Sequence, residues 1–179
     1  MSKVNNGQMK KVEKSSHDGK IFGVYIRSML DKKVLLHITE IGRNIKPNLE
    51  KKISNEISGK CIDEGYIKPN SVNVSNYSSG NINGEYVEYH TTFECMICLP
   101  VEGMLIECTC KSVTKAGIHA EVIDDQGNIP LTIFIARDHH HLNERLGNIK
   151  ENDMISVRVI GIRFELNDQY ICAIAKLVE

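Results

Sequence analysis

Alternating apolar and polar residues in the C-terminal half of the chain predict a series of β-strands. Five strands are expected, at residues 103–113, 117–123, 130–136, 153–165 and 169–178. Tight turns join them, except that a polar segment over 137–152 separates the third from the fourth. Three strands, a longer connection and two more strands is the order of a Greek-key OB barrel. Such barrels usually bind single-stranded nucleic acid or oligosaccharide, so a binding module is the leading class of function.

A different pattern covers residues 21–100. Strands are predicted at 21–26, 33–39, 60–67, 71–77 and 85–99, with a flexible hairpin connection over 78–84. Apolar residues recur at every fourth position and predict one helix: Ile45, Leu49, Ile53 and Ile57. Gly59 stands where the left-handed cap of that helix belongs. A helix on a small antiparallel sheet makes an α+β unit, whose last strand we expect to continue into the barrel.

The predicted fold class is therefore α+β followed by all-β, in three parts. Residues 1–20 form a polar tail with five Lys and two acidic residues, read either as a solvated flexible arm or as a partner-binding arm. Residues 21–100 form the α+β unit and residues 101–179 the barrel. Gly103 and Gly117 are expected at a strand entry and at a left-handed turn, respectively.

Composition places the chain among ordinary globular proteins. Of its 179 residues, 41% are apolar and 25% are charged. No stretch approaches ~18 consecutive apolar residues, and the first residues lack the apolar core of a secretory signal. Six cysteines in such a chain are most simply reduced thiols. We therefore expect an intracellular protein without a membrane partner.

Charge is distributed unevenly along the chain. Residues 1–100 carry 14 Lys and Arg against 11 Asp and Glu, whereas residues 101–179 carry 8 against 12. A protein that binds nucleic acid tightly by itself should be basic on its binding face. An acidic barrel therefore predicts RNA contacts that are weak, local and assisted by partners.

The groove of an OB barrel lies across its second and third strands, flanked by the first turn and the last loop. The candidate RNA-contacting side chains predicted for these places are Lys115, His119, Arg137, His140 and Arg163. Each of them, taken alone, is also an ordinary solvated surface group. Aromatic side chains are scarce in the barrel, which has only Phe134, Phe164 and Tyr170. A core position is expected for each of them, with base stacking by at most one or two of them as the alternative.

Two clusters suggest a metal site at first sight. One consists of Cys95, Cys98, Cys108 and Cys110. Strand residues three apart face opposite sides, so buried thiols are expected there rather than a zinc site. The other is Asp138 followed by three histidines at 139–141, whose neighbouring side chains diverge. We expect a polar helical turn there, with an RNA-contacting histidine as the alternative, and predict no metal and no cofactor.

No enzymatic motif stands out. The sequence contains no glycine-rich phosphate loop, no nucleophile elbow and no paired-histidine metal helix. Its acidic residues are scattered, and no catalytic group of residues can be assembled from them. The expectation is a protein without catalytic activity of its own.

Several short motifs, in order, resemble a known family. They are Gly-Lys-Cys at 59–61, Gly-Tyr-Ile at 65–67, Phe-Glu-Cys-Met-Ile-Cys-Leu-Pro-Val-Glu-Gly at 93–103 and the turn at 114–118. Together they resemble the seventh subunit of eukaryotic RNA polymerase II and the archaeal counterpart of that protein, over about residues 25–179.

The resemblance implies a non-catalytic stalk subunit of a DNA-dependent RNA polymerase. It implies a tip domain that docks on the polymerase core through Gly65, Tyr66 and Ile67, and an S-one-type OB barrel that contacts nascent single-stranded RNA. It also implies a second small stalk subunit, packed along the groove between the two domains.

The chain departs from the family pattern and is rich in Ile, Asn and Lys. In these respects it resembles the version of the subunit that a large DNA virus would encode. A viral protein of this kind would be located in the virion or the cytoplasmic viral factory, and a cellular one in the nucleus. The alternative function is a free-standing OB-fold RNA-binding protein, of an RNA-degrading complex or a translation factor, which would need RNA affinity of its own.

Overall fold

The computed structural model describes residues 23–137 and 148–178. In chain order its elements are β1 (Tyr25–His37), a 3-10 helix (Ile38–Glu40), α1 (Ile45–Ile57), β2 (Cys61–Ile62), β3 (Gly65–Ile67), β4 (Asn73–Tyr77), β5 (Asn81–Asn83), β6 (Tyr86–Cys98), β7 (Leu105–Val113), β8 (Gly117–Val122), β9 (Leu131–Ala136), β10 (Met154–Arg163) and β11 (Ile171–Leu177). No helix within the described ranges is long and apolar enough to cross a membrane. The predicted tail at 1–20, Asp138, and the three histidines including His140 lie outside the described residues.

β6 is the central strand of the N-terminal unit. One of its edges pairs with β1 over all 13 residues, from Tyr25 opposite Cys98 to His37 opposite Tyr86. Along its other edge, β3, β4 and β5 pair with it in succession, and β2 pairs with β3. α1 contributes the buried Leu49, Ile53 and Ile57 to the core of this unit, as the fourfold spacing predicts.

β7 to β11 close into a barrel with the strand order β10-β11-β9-β8-β7. β10 also pairs with β7, which closes the ring, and the β9–β11 pair is the parallel one. This confirms the five-stranded closed barrel and agrees with an OB fold. Alternate residues of each strand face the interior, where apolar side chains fill the space between the strands.

Several predicted elements of the N-terminal unit are wrong in extent. Two strands were expected at 21–26 and 33–39, but residues 25–37 form a single strand, β1, because β6 offers a partner along its whole length. Residues 27–32 look too polar for a strand because one face of β1 is exposed. The expected strand at 60–67 is divided into β2 and β3, and the expected linker at 78–84 contains β5.

Two glycines differ from expectation, whereas Gly59 has the predicted left-handed backbone, with φ of +69°. Gly103 does not continue β6 into the barrel: it has φ of +83° in a turn where the Met104 N–H donates to the Val101 carbonyl. Gly117 is not left-handed. A Cβ there would lie 2.2 Å from the Ile135 carbonyl oxygen, so close strand approach requires glycine.

The two units meet through backbone hydrogen bonds. The Cys61 N–H donates to the Asp168 carbonyl at 2.8 Å, and the Asn167 N–H donates to the Cys61 carbonyl at 2.8 Å. The turn between β10 and β11 therefore covers the outer edge of β2. Tyr66 and Cys98 of the N-terminal unit are part of the same buried cluster as the barrel interior.

Candidate nucleic-acid interface

The outer surface of β8 and β9 carries an aromatic pair. His119 of β8 stands directly opposite Phe134 of β9, and both point away from the barrel because Ile133 and Ile135 fill its interior. Their ring centroids are 4.8 Å apart and the planes are inclined by 48°. His119 is exposed and Phe134 is half-buried. The predicted RNA contact His119 thus lies on the expected groove face.

Two cations lie at the end of this face. Lys115 is exposed in the turn between β7 and β8, and Arg137 is exposed just after β9. The backbone N–H of Arg137 donates to the Ala116 carbonyl at 3.0 Å, and its guanidinium Nη2 donates to the Thr114 carbonyl at 3.5 Å. The structure therefore brings Lys115, His119 and Arg137 to one end of the β8–β9 face.

Arg163 lies elsewhere on the barrel. It is opposite Cys172 of β11, which is in turn beside Thr132 near the start of β9, whereas Arg137 follows the end of β9. Its side chain is 83% exposed and forms an ion pair with Glu165 at 3.2 Å. The geometry does not bring Arg163 together with the other predicted RNA contacts.

Phe134 is the functional candidate that the sequence analysis assigned to the core. The alternation of Leu131, Ile133 and Ile135, all buried, leaves Phe134 on the outer face. That two-residue period was present in the sequence and could have identified the outward ring. Phe164, by contrast, packs against the barrel core, and Tyr170 is exposed.

Acidic groups occupy the other end of β8. Glu121 points outward and pairs with Lys111 of β7 at 3.7 Å. The loop after β8 contains Asp124, whose Oδ1 accepts hydrogen bonds from the Gln126 and Asn128 backbone N–H groups at 2.9 and 2.8 Å. A polyanion on this face would therefore be attracted to the Lys115 end and repelled from the Asp124 end.

The acidic loop also holds the two units together. Asp124 accepts a hydrogen bond from the Tyr25 hydroxyl, and Asp125 forms an ion pair with Lys68, whose ammonium lies 5.1 Å from the Tyr25 ring centroid. Burial, and then the Asp124 contact, raises the pKa of the Tyr25 phenol. Burial acts to raise the pKa of Asp124, but hydrogen bonds from Asn128, Gln126 and Tyr25 bring it below the ordinary value.

The cysteines that resemble a metal site lie in separate places. Cys95 belongs to the core of the N-terminal unit, whereas Cys98, Cys108 and Cys110 belong to the barrel cluster. Burial raises the pKa of the Cys95 thiol to about 11, and that of Cys98 and Cys108 to about 12. Burial therefore keeps these thiols protonated near neutral pH, as is usual for cysteines that pack in a core.

The three residues predicted to dock on a polymerase lie inside the chain's own core. Tyr66 is 3% exposed and Ile67 is fully buried. Gly65 has φ of +123°, and a Cβ there would lie 2.6 Å from the Cys98 carbonyl oxygen. All three lie at the barrel end of the N-terminal sheet, where Tyr66 pairs with Cys98. The Tyr66 side chain is part of the buried cluster shared with the barrel, and the Ile67 side chain is part of the core of the N-terminal unit.

Exposed apolar side chains gather instead at the opposite end of that sheet. They are Leu35 and Tyr86 on one face, Ile82 on the other face and Ile38 in the 3-10 helix, and we call this end of the sheet the distal patch. The Ile38 N–H donates to the Glu85 carbonyl at 2.9 Å, and Ile82 stands opposite Val87, so these side chains come from adjoining elements. Antiparallel β1 is 13 residues long, which places the patch about 40 Å from the junction.

A cleft opens where the two units meet. It encloses about 520 Å³ and is lined from the N-terminal side by Lys60, Tyr66 and Pro69. Asn128, Gln169 and Tyr170 line it from the barrel side. Carboxamides and phenol rings in one cleft suit a polypeptide partner, because amide groups hydrogen-bond to backbone and the rings pack against aliphatic side chains.

No family model matches the chain. It is 26% identical over 166 residues to a protein of Acanthamoeba polyphaga mimivirus with the provisional name DNA-directed RNA polymerase subunit L376, a match that covers 87% of this chain and 83% of that protein. The DNA-directed RNA polymerase II subunit RPB7 of Glycine max is 24% identical over 115 residues, covering 63% of this chain and 62% of that protein. DNA-directed RNA polymerase II subunit 7 of Arabidopsis thaliana is 23% identical over 116 residues, covering 64% and 62%.

The matches to the two plant proteins span less than two thirds of their length, whereas the match to the viral protein spans most of it. All three relatives carry names of RNA polymerase subunits, and two of them are named as the seventh subunit. The resemblance found in the sequence is therefore confirmed: the chain is similar to seventh subunits of RNA polymerase II and to a viral RNA polymerase subunit.

Proposed function

We propose that this chain is a non-catalytic stalk subunit of a DNA-dependent RNA polymerase, held to the core by its N-terminal unit and contacting nascent RNA with its barrel. The observation that carries the proposal is that the similarity to a polymerase subunit covers 166 residues and so includes both units. A binding role agrees with the barrel, whose outer face gathers Lys115, His119 and Arg137 at one end. Anchoring raises the local RNA concentration, so a weak site is sufficient.

The distal patch is the proposed docking surface. Gly65, Tyr66 and Ile67 are buried at the barrel end, so their contribution to docking is to shape the unit from within. The distal patch is the exposed apolar end of the same unit, and Glu40 and Glu85 lie beside it. A core surface that is apolar at its centre and basic at its rim would fit it.

The second small stalk subunit is proposed to lie along the junction cleft. Tyr170 and Gln169 are exposed there, and Tyr66 forms part of the wall. A chain in this cleft would touch both units at once and would hold their relative orientation. If the protein is viral it would act in the virion or in a cytoplasmic viral factory, and otherwise in the nucleus.

Co-purification tests docking. The tagged chain, expressed in its native host system, should recover the large polymerase subunits. Ile82→Lys should reduce that recovery at least about tenfold, because a charge would enter an apolar contact. Met154→Lys is the matched control: Met154 is 72% exposed on the barrel and Ile82 is 74% exposed on the distal patch. Equal recovery with both variants would contradict docking through the distal patch.

The affinity of the isolated chain for RNA distinguishes the alternative function, a free-standing RNA-binding barrel, from the proposed one. Sub-micromolar binding of the isolated chain to single-stranded RNA at physiological salt, without recovery of polymerase subunits, would favour it. The few cations on the barrel face and the acidic Glu121 and Asp124 support the polymerase-bound role instead.

A further inference from the structure

We infer that two copies of this chain pair through the free edge of β1, in antiparallel orientation and about a two-fold axis at Lys32. Such pairing goes beyond the proposed function, because it concerns copies that are not held by a polymerase. Its support is the direction of the backbone groups along β1, together with the order of the exposed side chains on that strand.

The outer edge of β1 has no strand partner among the described residues. The Ile38 N–H donates to the Glu85 carbonyl at 2.9 Å, and the register with β6 continues from there, so the even-numbered residues of β1 bond to β6. The N–H and C=O groups of the odd-numbered residues therefore point to the open edge. The edge ends at His37, whose N–H donates to the Glu40 carboxylate at 3.1 Å. Residues 27–35 are left for a new strand.

The odd-numbered side chains along this edge share one face of the sheet. Val34 belongs to the core beneath α1, so its neighbours at odd positions face the opposite side. In chain order these side chains are apolar, acidic, basic and apolar: Met29, Asp31, Lys33 and Leu35. Met29 is 60% exposed and Leu35 is 45% exposed. Read in the opposite direction, this order is complementary to itself, as a two-fold interface requires.

One register uses this complementarity fully. Pairing about Lys32 sets Asp31 opposite Lys33 of the second copy and Met29 opposite Leu35 of the second copy, and the two-fold axis repeats both pairs. Odd-numbered residues then lie opposite odd-numbered ones, so each pair exchanges two backbone hydrogen bonds. An axis at Asp31 would set two carboxylates against each other, and an axis at Lys33 would do the same with two ammonium groups. The axis at Lys32 avoids both repulsions.

The charges around the axis agree with this register. The two Lys32 side chains would meet there, but each ammonium already lies 2.8 Å from the carboxylate of Glu56 on α1. Lys33 lies 3.6 Å from Glu88, and its side chain is 67% exposed. Asp31 accepts a hydrogen bond from the Thr92 hydroxyl and has no cationic partner within the described part of the chain. Pairing would give Asp31 that partner.

Self-pairing has a consequence for the free subunit. Leu35 belongs both to this edge and to the distal patch, so a paired copy has part of its proposed docking surface covered. A single pair of strands makes a small interface, which is typical of weak and reversible association. Pairing should therefore depend on concentration and give way when a partner with a larger interface binds.

Sedimentation velocity of the full chain between about 5 μM and about 500 μM tests the inference. The wild type should change from one chain to two over this range. Asp31→Lys and Lys33→Asp should each raise the dissociation constant at least about tenfold, because like charges then face each other in both copies. An equimolar mixture of these two variants should restore pairing, since every facing pair then joins opposite charges. Lys51→Asp is the matched control, because it makes the same charge change at an exposed position on α1.

Disulfide trapping tests the register. Lys32→Cys, in a Cys172→Ser background that removes the exposed thiol, should form a disulfide between two chains under mild oxidation, because the residues on the axis lie directly opposite each other. Lys51→Cys in the same background should not form one. Circular dichroism melting verifies that each variant is folded.

A wild-type chain that stays single over the whole range would overturn self-pairing and would leave the edge to a strand from another protein. Pairing that persists in both charge variants, or a mixture that remains single, would overturn the register about Lys32. Met29→Lys, which lies outside the distal patch, should weaken pairing and still recover polymerase subunits. Failure of the wild type to recover those subunits would instead contradict the proposed function, whatever the sedimentation result.

Discussion

The hydroxyl of Tyr25 donates a hydrogen bond to Oδ2 of Asp124 at 3.0 Å, across 99 residues of sequence. Tyr25 begins the long strand β1 of the N-terminal unit, and Asp124 lies in the loop that follows the second strand of the barrel. The same carboxylate accepts backbone N–H groups of its own loop. Asp124 therefore ties the orientation of the β8–β9 face to the unit proposed to dock on the polymerase.

Replacing Tyr25 by Phe tests this hydrogen bond. The variant keeps the ring and loses the donor to a charged acceptor, so the free energy of unfolding should fall by about 1–2 kcal/mol. Urea denaturation of the full chain measures it. Tyr86→Phe is the control, because Tyr86 is exposed at the far end of the sheet. An equal decrease in the free energy of unfolding of both variants would show that the hydrogen bond of the Tyr25 hydroxyl does not stabilise the fold specifically.

The ion pair between Lys68 and Asp125 should restrict the angle between the two units. Lys68→Asp should broaden the distribution of distances between a spin label on Cys172 and one on Lys51→Cys in α1. Of the six cysteines only Cys172 is exposed, so it can be labelled selectively. Adding Asp125→Lys restores opposite charges and should narrow the distribution again.

The outcome that would contradict this role of the ion pair is an unchanged distance distribution in Lys68→Asp. A second contradiction would be broadening that the charge-reversed pair fails to rescue, since that would indicate lost packing of the Lys68 stem over Tyr25.

Buried thiols should make the protein sensitive to alkali. Burial raises the pKa of Cys98 and Cys108 from 9.0 to about 12 in the folded chain. A group whose pKa is raised on folding gives its full stabilisation below the unfolded value, so stability should fall as pH rises from about 9 towards 12. Each such thiol contributes a slope of about 1.4 kcal/mol per pH unit.

Denaturation curves measured between about pH 8 and about pH 11 roughly span that window. Over this range, the free energy of unfolding of Cys108→Ala should fall less steeply than that of the wild type. Cys172→Ser, which changes an exposed thiol, serves as the control. An identical pH slope in Cys108→Ala and the wild type would show that this thiol ionises equally in both states.

Gly117 is predicted to be intolerant of any side chain. The clash of a Cβ with the Ile135 carbonyl oxygen at 2.2 Å requires the β8–β9 strands to move apart, so Gly117→Ala should cost about 2–3 kcal/mol or more. Gly42→Ala is the matched control, because nothing lies within 4 Å of a Cβ at that position. Thermal melting of the two variants gives the comparison, and similar melting temperatures would contradict the close approach.

Much of the fold was predictable because its signals are local. Fourfold spacing from Ile45 to Ile57 identified α1, and two-residue alternation identified the five barrel strands. β1 was divided in the prediction because its middle is polar on the exposed face. Only its long-range partner β6 makes it one strand.

The candidate site was predictable in part for the same reason. The turn and strand positions of Lys115, His119 and Arg137 follow from strand order alone, and the structure groups them. The separation of Arg163 from these three residues could not be predicted, because it depends on the β9–β11 register. The contact between Tyr25 and Asp124 could not be predicted from the local sequence, because the neighbours of neither residue indicate which distant group it contacts.

Crosslinking of nascent RNA in transcribing polymerase tests the central claim most directly. Elongation complexes purified through the tagged chain, with photoreactive uridine placed along the transcript, should give crosslinks in the peptides that contain His119 and Phe134, and the large polymerase subunits should be present in the same complexes. Recovery of the chain without those subunits, or crosslinks to the core subunits with none in β8 or β9, would contradict a stalk subunit that offers its barrel to RNA.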